Sequence, residues 1–486
     1  MGKNVIKNYF YNLSYQIVTL LTPFITMPYV SRVLGADGIG IYSYTTSIVT
    51  YFALLATLGL ADYGQREIAY HQNDRYAQSR ILYEVSIFRC IAVAFSLCLY
   101  YILIVRNTET NLIVFEIQAI NIIALLFDIS WFFQGLEDFA KVALRNISIR
   151  LLSIVMLFAF VKQADDLWIY VLINASVVLL GGMLICCFLP KYLVKVPLNE
   201  IKPFRNCKAI MQLFAPQIAI QIYMVLDKTM IGLYSPVAAE NGYYEQATKC
   251  IRMAQMIIGS LGIVFMSKIA FAYENKDFAQ IKNSIMKCYR FVWAVGLPLV
   301  LFIVVISPYF IPWFLGEGFS KTAILMQWLS PLIIIIGFSG ITGPQYLIPT
   351  RQENLLTMSV ILGLVVNAGL NAILIPRFYS VGAVWASLIA ESAVTIFQFY
   401  LVREMFNAKE VMLLIKSYLP AIGITATIMI ALSRFLSISS VNTGIILGTG
   451  SLTYIGLLLL SKDEFALLIK DRINGLVSRM FSKGDN

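Results

Sequence analysis

Residues 8–31 read NYFYNLSYQIVTLLTPFITMPYVS and residues 38–61 read GIGIYSYTTSIVTYFALLATLGLA, two long runs without a charged side chain. Comparable runs follow at 167–190, 291–316, 322–350 and 435–461. Each run is long enough to cross a hydrocarbon core as a helix, which takes about 20 apolar residues at about 1.5 Å each. Because the runs are continuous, they favour membrane helices over the short alternating strands of a membrane barrel.

The composition extends this reading to the whole chain of 486 residues, which is 59% hydrophobic and 13% charged with a mean hydropathy of +0.76. Soluble domains carry about a quarter charged residues. The sequence therefore predicts an all-α integral membrane protein with about fourteen transmembrane helices. We place them at 9–31, 39–61, 81–104, 112–134, 142–161, 167–189, 209–231, 245–267, 289–312, 322–346, 355–375, 381–402, 411–432 and 442–460.

The basic residues predict the orientation. Most of the 37 Lys and Arg residues fall at the two ends of the chain and in the loops on the same side as those ends. The positive-inside rule then makes both termini cytoplasmic in a multi-pass protein of a bacterial plasma membrane. We attribute the net charge of +10 to the orientation of the chain in the membrane and to contact with membrane lipids. No nucleic-acid partner is expected. The tail at 463–486 has the pattern of an amphipathic helix on the inner surface.

Cysteine and histidine usage argues against a metal site and against His-based catalysis. The seven cysteines show no metal-ligand spacing, and most of them lie in or beside predicted spans, where cysteine behaves as a small hydrophobe. His71 is the single histidine, so the commonest base and metal ligand is scarce. We expect no metal, no cofactor and no enzymatic activity, and a monomeric chain.

An internal repeat organises the chain. Residues 31–43 (SRVLGADGIGIYS) and 227–244 (DKTMIGLYSPVAAENGYY) share a basic residue at a helix end, a glycine-bearing turn, an acidic residue and Gly-x-Tyr. A weaker echo links 131–141 with 345–354. The sequence predicts two pseudo-symmetric six-helix lobes at 1–195 and 196–407, two further helices at 408–462, and the tail. The glycines of the repeated turn are expected to adopt unusual backbone angles; they are Gly35, Gly38, Gly40 and Gly242.

The stretch KNYFYNLSYQIVTLLTPFITMPYVSRVLGADGIGIYSY (residues 7–44) resembles the N-terminus of polysaccharide repeat-unit flippases, the O-antigen and capsule exporters of the multidrug/oligosaccharidyl-lipid/polysaccharide superfamily. The segment LDKTMIGLYS (226–235) and the loop GLEDF (135–139) are also similar to that family. The resemblance implies that the chain turns an undecaprenyl-pyrophosphate-linked oligosaccharide from the inner to the outer leaflet by alternating access. It also implies a polysaccharide polymerase and glycosyltransferases as partners.

Charged and amide side chains inside spans are candidates for substrate contact, because burying them in a membrane is costly. Helix 7 places three such residues on one face, and helix 1 carries a comparable stripe with Gln16. We hypothesise an electropositive cavity that binds pyrophosphate or acidic sugars. Its cations would be Arg32, Lys228, Lys249 and Arg252, with Gln16, Gln217 and Gln221 beside them. The alternative is that the cations snorkel to the outer surface or form ion pairs between lobes.

Four further residues are candidates for coupling transport to H⁺ or Na⁺. Asp128 in helix 4 could bind the coupling ion, or could simply pair with Arg89 of helix 3 as a structural ion pair. Asp62 lies at the end of helix 2. Glu391 in helix 12 shares a polar face with Thr395 and Gln398, which could instead join packed helices.

Three other functions remain open. A drug or cation antiporter of the same superfamily usually has an acidic residue in helix 1, and residues 8–31 contain none. A lipid-linked peptidoglycan precursor flippase would concentrate arginines in the first lobe, where helix 1 here has only the terminal Arg32. A polymerase or ligase would place its catalytic groups in a large outer loop, and the predicted outer loops are all short.

Overall fold

The computed structural model describes the backbone of residues 2–260, 262–463 and 467, and their side chains except those of 2–17, 20, 212, 213, 215–217, 263 and 264. Regular structure in this part of the chain is helical throughout, which confirms the all-α prediction there. The helices are α1 (Gly2–Thr57), α2 (Leu60–Tyr70), α3 (Arg75–Leu103), α4 (Leu112–Ala124), α5 (Ser130–Gly135), α6 (Phe139–Phe160), α7 (Leu167–Cys186), α8 (Cys207–Tyr234), α9 (Ala239–Gly259), α10 (Gly262–Glu274), α11 (Phe278–Phe314), α12 (Ser320–Leu329), α13 (Leu332–Gly340), α14 (Glu353–Leu401), α15 (Ala408–Leu413), α16 (Leu419–Phe435) and α17 (Ser440–Leu460).

Shorter turns complete the helical structure. A π-helical segment, Ile341–Leu347, continues α13 and contains Pro344. Single turns of 3-10 helix occur at Val105–Asn107, Leu125–Phe127, Ala164–Asp166, Leu189–Lys191, Leu198–Glu200, Glu317–Phe319 and Leu414–Ser417. The predicted amphipathic tail lies outside the described residues except for its first residue, Asp463, and Leu467.

The two longest helices are each broken at one residue. α1 holds 56 residues and α14 holds 49, lengths of roughly 84 and 74 Å that exceed a hydrocarbon core of about 30 Å. The backbone leaves helical geometry at Gly35 (φ 67°, ψ −178°) and at Tyr379 (φ 50°, ψ −122°). Both breaks fall in connections that the sequence predicts, at 32–38 and 376–380.

The number of crossings can be bounded for the described residues. Eight helical segments there are long and apolar enough to cross a membrane, or ten if two bent pairs each form one span. Two of the eight, Leu21–Tyr70 and Glu353–Leu401, contain the breaks and correspond to two predicted spans each. The predicted spans at 209–231 and 245–267 are not among these segments. The chain is a multi-pass membrane protein, and the count of fourteen stays a prediction.

Contacts divide the chain into two compact units, Met1–Glu245 and Gln246–Asn486. The first contains α1 to α8 and the start of α9, and the second contains the rest of α9 through α17. The domain prediction concerned repeats of sequence, whereas these units are defined by packing, so the predicted lobes remain predictions.

Aromatic side chains fill the core of the first unit. One cluster packs α2, α3 and α5 around the fully buried Trp131, Phe132 and Phe133. A second cluster joins α1, α3 and α4 through Phe52, whose ring meets that of Tyr100 at a centroid distance of 5.1 Å. These two clusters fix the second half of α1 against α3 and α4.

In the second unit, α11 is the helix on which others pack. Ile306 of α11 is buried against Met429 of α16 and Ile446 of α17. Tyr454 Oη donates to the carbonyl oxygen of Ala294 at 2.8 Å, which ties α17 to α11 a second time. The helices predicted as additional to the two lobes thus pack on α11.

Candidate functional site

Among the described glycines, the closest approach of two backbones joins α1 to the start of α9. An ideal Cβ built on Gly40 would lie 1.8 Å from the carbonyl oxygen of Ala238, and one built on Gly242 would lie 2.0 Å from that of Ala36. Each glycine follows its alanine by four residues, so the contact is reciprocal: each helix offers the same pair of groups to the other. We call Ala36, Gly40, Ala238 and Gly242 the glycine crossing.

The predicted role of these glycines is right at one position and wrong at three. Gly35 has φ +67°, as expected for a glycine in a turn. Gly38, Gly40 and Gly242 lie within helical backbone, so no unusual backbone angle requires a glycine at these positions. At Gly40 and Gly242 the missing Cβ lets two backbones touch, and at Gly38 the nearest atom is Leu34 Cβ, 3.0 Å away.

A carboxylate links the two helices of the glycine crossing. Asp37 Oδ1 accepts a hydrogen bond of 2.9 Å from the backbone N–H of Ala239, the first residue of α9. The first N–H groups of a helix have no partner inside it and attract negative charge. Asp37, the acidic residue of the first copy of the repeated motif, therefore caps α9, which begins within the second copy.

A buried ion pair lies about one helical turn from the crossing along α9. Lys228 Nζ of α8 is 2.5 Å from Glu245 Oε2 of α9, and their side chains are 16% and 8% exposed. Ser43 Oγ of α1 lies 3.2 Å from the same oxygen and 3.3 Å from Asn241 Oδ1. Asn241 Nδ2 donates to the carbonyl oxygen of Lys228 at 2.7 Å. Three helices thus meet around one lysine.

Hydroxyl groups continue this polar contact along α1. Thr229 Oγ1 of α8 is 2.9 Å from Ser47 Oγ and 3.0 Å from Tyr51 Oη. Beside the ion pair, Tyr244 Oη donates to Asp227 Oδ2 at 2.5 Å, a second link between α8 and α9. We call this whole set the junction; its members are Ser43, Ser47, Tyr51, Lys228, Thr229, Asn241 and Glu245.

Arg89 and Asp128 meet in the same unit, through the backbone. Arg89 is 4% exposed and donates to the carbonyl oxygens of Leu125, at 3.4 Å, and Asp128, where α4 has ended and α5 has not begun. The Asp128 carboxylate lies 3.8 Å from Arg145 of α6 and accepts from Ser130 Oγ at 2.5 Å. Arg89 therefore binds the backbone where α4 ends, and Arg145 is a second cation near the Asp128 carboxylate.

The comparisons with known proteins decide the family. Residues 5–270 match a family model described as polysaccharide biosynthesis protein. The chain belongs to this family. A similar Escherichia coli (strain K12) protein, provisionally named O-antigen transporter, is 23% identical over 409 residues, which cover 82% of this chain and 96% of the relative. The resemblance seen at residues 7–44 is thereby confirmed.

Solved structures agree on the fold of this polysaccharide biosynthesis protein. The lipid II flippase MurJ in an inward closed conformation has a TM-score of 0.72 at 15% identity, covering 96% of this chain and 100% of the other. An inward-facing MATE multidrug transporter of the MOP superfamily has a TM-score of 0.64 at 14% identity, covering 83% and 96%. The proteins found are named as transporters and flippases, which agrees with the prediction that the chain is not an enzyme.

The predicted substrate residues of this family member fall into different surroundings. Lys228 is paired at the junction, whereas Arg32 at the end of the first half of α1 and Gln221 in α8 are exposed. Lys249 is half-buried and Arg252 is exposed, both on the part of α9 that belongs to the second unit. The side chains of Gln16 and Gln217 lie outside the described residues. A shared cavity for the four cations stays a prediction.

The remaining coupling candidates lie apart from the junction residues in sequence. Asp62 is exposed in the first turn of α2. Glu391 is half-buried in α14, on the same face as Thr395, which donates to the carbonyl oxygen of Ile335 at 3.1 Å. Gln398, one further turn along, donates to Ser359 Oγ at 2.9 Å. The first contact joins α14 to α13, and the second joins the two halves of α14 on either side of Tyr379. The coupling role of Glu391 stays a prediction.

Sequence reasoning missed several members of the junction. Ser43, Ser47 and Tyr51 recur every four residues, a spacing that puts them on one face of α1 and could have revealed the polar stripe. Glu245 precedes Lys249 by four residues in α9, but the structure also pairs it with Lys228 of α8. No spacing rule pairs residues 17 apart across the turn between α8 and α9.

Proposed function

We propose that this protein is a flippase for undecaprenyl-pyrophosphate-linked oligosaccharide repeat units, carrying them from the inner to the outer leaflet of a bacterial plasma membrane. The product would serve synthesis of O-antigen, capsule or exopolysaccharide. The family match, the name of the Escherichia coli relative and the MurJ-like fold support this assignment. The observation that carries it is Lys228, a cation held in a largely buried junction of three helices in a membrane protein.

The lysine suits this cargo for a chemical reason. A lysine ammonium offers three N–H donors on a flexible stem and binds phosphate as a point charge. A charge inside a membrane protein is costly unless it has work to do or a partner. In the proposed mechanism the pyrophosphate head passes Lys228 while the lipid tail stays in the bilayer, and the cycle proceeds by alternating access.

The remaining parts of the proposal rest on sequence patterns and on what the family resemblance implies. Both termini face the cytoplasm, the chain works as a monomer without a cofactor, and H⁺ or Na⁺ coupling involves Asp128, Asp62 or Glu391. The polymerase and glycosyltransferases of the same polysaccharide act beside it. Asp128 has the surroundings of a carboxylate at a helix break, where Arg145 and Ser130 already contact it.

A gene deletion separates a flippase from a polymerase or ligase. Cells without a flippase should accumulate single lipid-linked repeat units in the inner leaflet, where an enzyme that acts only from the cytoplasmic side can still modify them. Cells without a polymerase should accumulate the same units in the outer leaflet. Accumulation in the outer leaflet would contradict the proposal.

Substitution of Lys228 tests whether this lysine takes part in transport. Lys228→Gln should lower polysaccharide export by about tenfold or more, since a charged hydrogen bond contributes roughly 1.5–3 kcal/mol. Lys191→Gln, at an exposed position outside the junction, should leave export unchanged. Export is measured against the amount of protein in the membrane. Normal export by Lys228→Gln would remove this lysine from the transport route.

A peptidoglycan precursor flippase is the second candidate, because the MurJ structure shares this fold over nearly the whole chain. Expression in cells depleted of their own lipid II flippase tests it. Growth without polysaccharide export would favour this candidate over the first.

A further inference from the structure

We propose that Glu245 is an exchangeable counter-ion: it neutralises Lys228 in the empty protein, and the anionic head group of the substrate displaces it during transport. The inference rests on the proposed function, since it needs an anionic cargo at Lys228. It assigns to Glu245 a positioning role, in which the carboxylate governs when the lysine becomes available.

The first support is the burial of the pair. Lys228 and Glu245 are 2.5 Å apart with side chains 16% and 8% exposed, so water neutralises neither charge well. A buried charge that loses its partner is strongly destabilising. A lysine that binds an anion in one state of the cycle therefore needs another anion in the state without cargo. Glu245 occupies that place.

The second support is the number of bonds that each anion can accept. The lysine has three donors, and Glu245 contributes one carboxylate, which it shares with Ser43. A pyrophosphate carries more negative charge and more acceptor oxygens than a carboxylate, and bonds between ionised groups are the strong ones. The incoming head group can thus replace Glu245 on Lys228 while the lysine keeps an anionic partner.

The third support is the fate of the displaced carboxylate. Ser43 Oγ lies 3.2 Å from Glu245 Oε2 and 3.3 Å from Asn241 Oδ1, so its single proton can serve either acceptor. When Lys228 turns to the cargo, Ser43 still donates to Glu245. The carboxylate therefore keeps a partner on α1 after it has lost its partner on α8.

Exchange has a mechanical consequence for α8 and α9. The ion pair joins the two helices, and the entering anion repels the carboxylate on α9 while it attracts the lysine on α8. The neighbouring link between them, from Tyr244 Oη to Asp227 Oδ2, is a hydrogen bond that does not involve Lys228. Cargo binding thus breaks the Lys228–Glu245 link between α8 and α9.

Titration with inorganic pyrophosphate tests the exchange. Purified full-length protein is titrated at constant ionic strength, with sulfate as the control anion. If Glu245 competes with pyrophosphate for Lys228, removing the Glu245 carboxylate raises the apparent affinity for pyrophosphate. The gain equals the factor by which Glu245 had reduced the fraction of lysine available to bind. We expect Glu245→Gln to bind pyrophosphate about tenfold more tightly than the natural protein, and Glu245→Asp, with its shorter side chain, to show a smaller gain. The variant Lys228→Gln/Glu245→Gln should bind at least about tenfold more weakly than Glu245→Gln.

Tyr244→Phe is the matched control, because it removes the neighbouring α8–α9 link and leaves the ion pair in place. Its affinity for pyrophosphate should equal that of the natural protein. A purely structural ion pair predicts a different pattern: no gain in either Glu245 variant, and equal affinity in the single Glu245→Gln and the double variant. Either result would overturn the inference, and the Glu245→Asp variant, which keeps the charge pair, decides the case if Glu245→Gln does not fold.

The two proposals fail separately. If the natural chain does not relieve the accumulation of lipid-linked repeat units, the flippase assignment is wrong whatever the titration gives. If it relieves the accumulation and neither Glu245 variant binds pyrophosphate more tightly, the assignment stands and the role of Glu245 is wrong.

Discussion

Glycines that are close together in the sequence near the glycine crossing have different structural roles. Gly38 and Gly40 are two residues apart in one motif, yet a Cβ on Gly40 would meet backbone at 1.8 Å while one on Gly38 would meet a side chain of its own helix at 3.0 Å. The sequence could predict that this motif matters and that Gly35 turns. It could not distinguish the two helical glycines, because the difference lies in what α9 brings to each.

Gly40→Ala should therefore destabilise the protein. The added methyl group forces two backbones apart, and overpacking of this kind costs roughly 1–3 kcal/mol. Thermal unfolding in detergent measures the loss as a lower midpoint temperature. Gly369→Ala is the control: nothing lies within 4 Å of its Cβ, so the gain in helix propensity should leave stability equal or slightly higher. Equal stability of both variants would mean that the crossing is not closely packed in solution.

Arg89 acts at the same scale. Its guanidinium is buried and binds two carbonyl oxygens where α4 ends, so Arg89→Met should lower stability by roughly 2 kcal/mol, the contribution of hydrogen bonds from a charged group. Arg150→Met, at an exposed site of α6, serves as the control. A pure coupling role for Arg89 would instead reduce transport and leave the midpoint temperature unchanged.

Helices were the most predictable level of this molecule. The charge-free runs predicted long apolar helices, and the breaks of α1 and α14 fall in the predicted connections. This level is predictable because a helix needs a minimum apolar length to cross a bilayer. Partners of helices were not predictable. α8 and the start of α9 pack with the first unit, although sequence repeats group them with the second half of the chain. Those contacts depend on close packing and on hydrogen bonds between distant residues.

Separation of α1 from α8 is a required step if the junction opens during transport. Ser47 and Thr229 have hydroxyl oxygens 2.9 Å apart, so sulfur atoms at these positions would be within reach of a disulfide bond of about 2.0 Å. In a chain whose seven natural cysteines are replaced, Ser47→Cys/Thr229→Cys should form the disulfide under oxidation and stop export.

Reduction should then restore export, and each single cysteine variant should be unaffected by oxidation. Full export by the oxidised double variant, with the disulfide verified by mass spectrometry, would show that α1 and α8 stay together throughout the cycle.

The whole molecule is a multi-pass membrane protein, and the distribution of its basic residues predicts its orientation. The predicted even number of crossings would put both termini on one side, and the positive-inside rule predicts that this side is the cytoplasm. A fluorescent protein fused to the C-terminus should fluoresce, and alkaline phosphatase fused there should be inactive, since each works only on its own side of the membrane. The same fusions at the N-terminus should agree. An active phosphatase at one end alone would require an odd number of crossings.

The reciprocity of the glycine crossing also bears on ancestry. Two identical half-length proteins, each with an alanine and a glycine one helical turn apart, could dock on each other through this same contact, as subunits do across a twofold axis. Duplication and fusion of such a gene would keep the docking while freeing each copy to diverge. Ser43 and Glu245, which stand three residues after the two glycines, would then be descendants of one ancestral position that acquired opposite chemical roles.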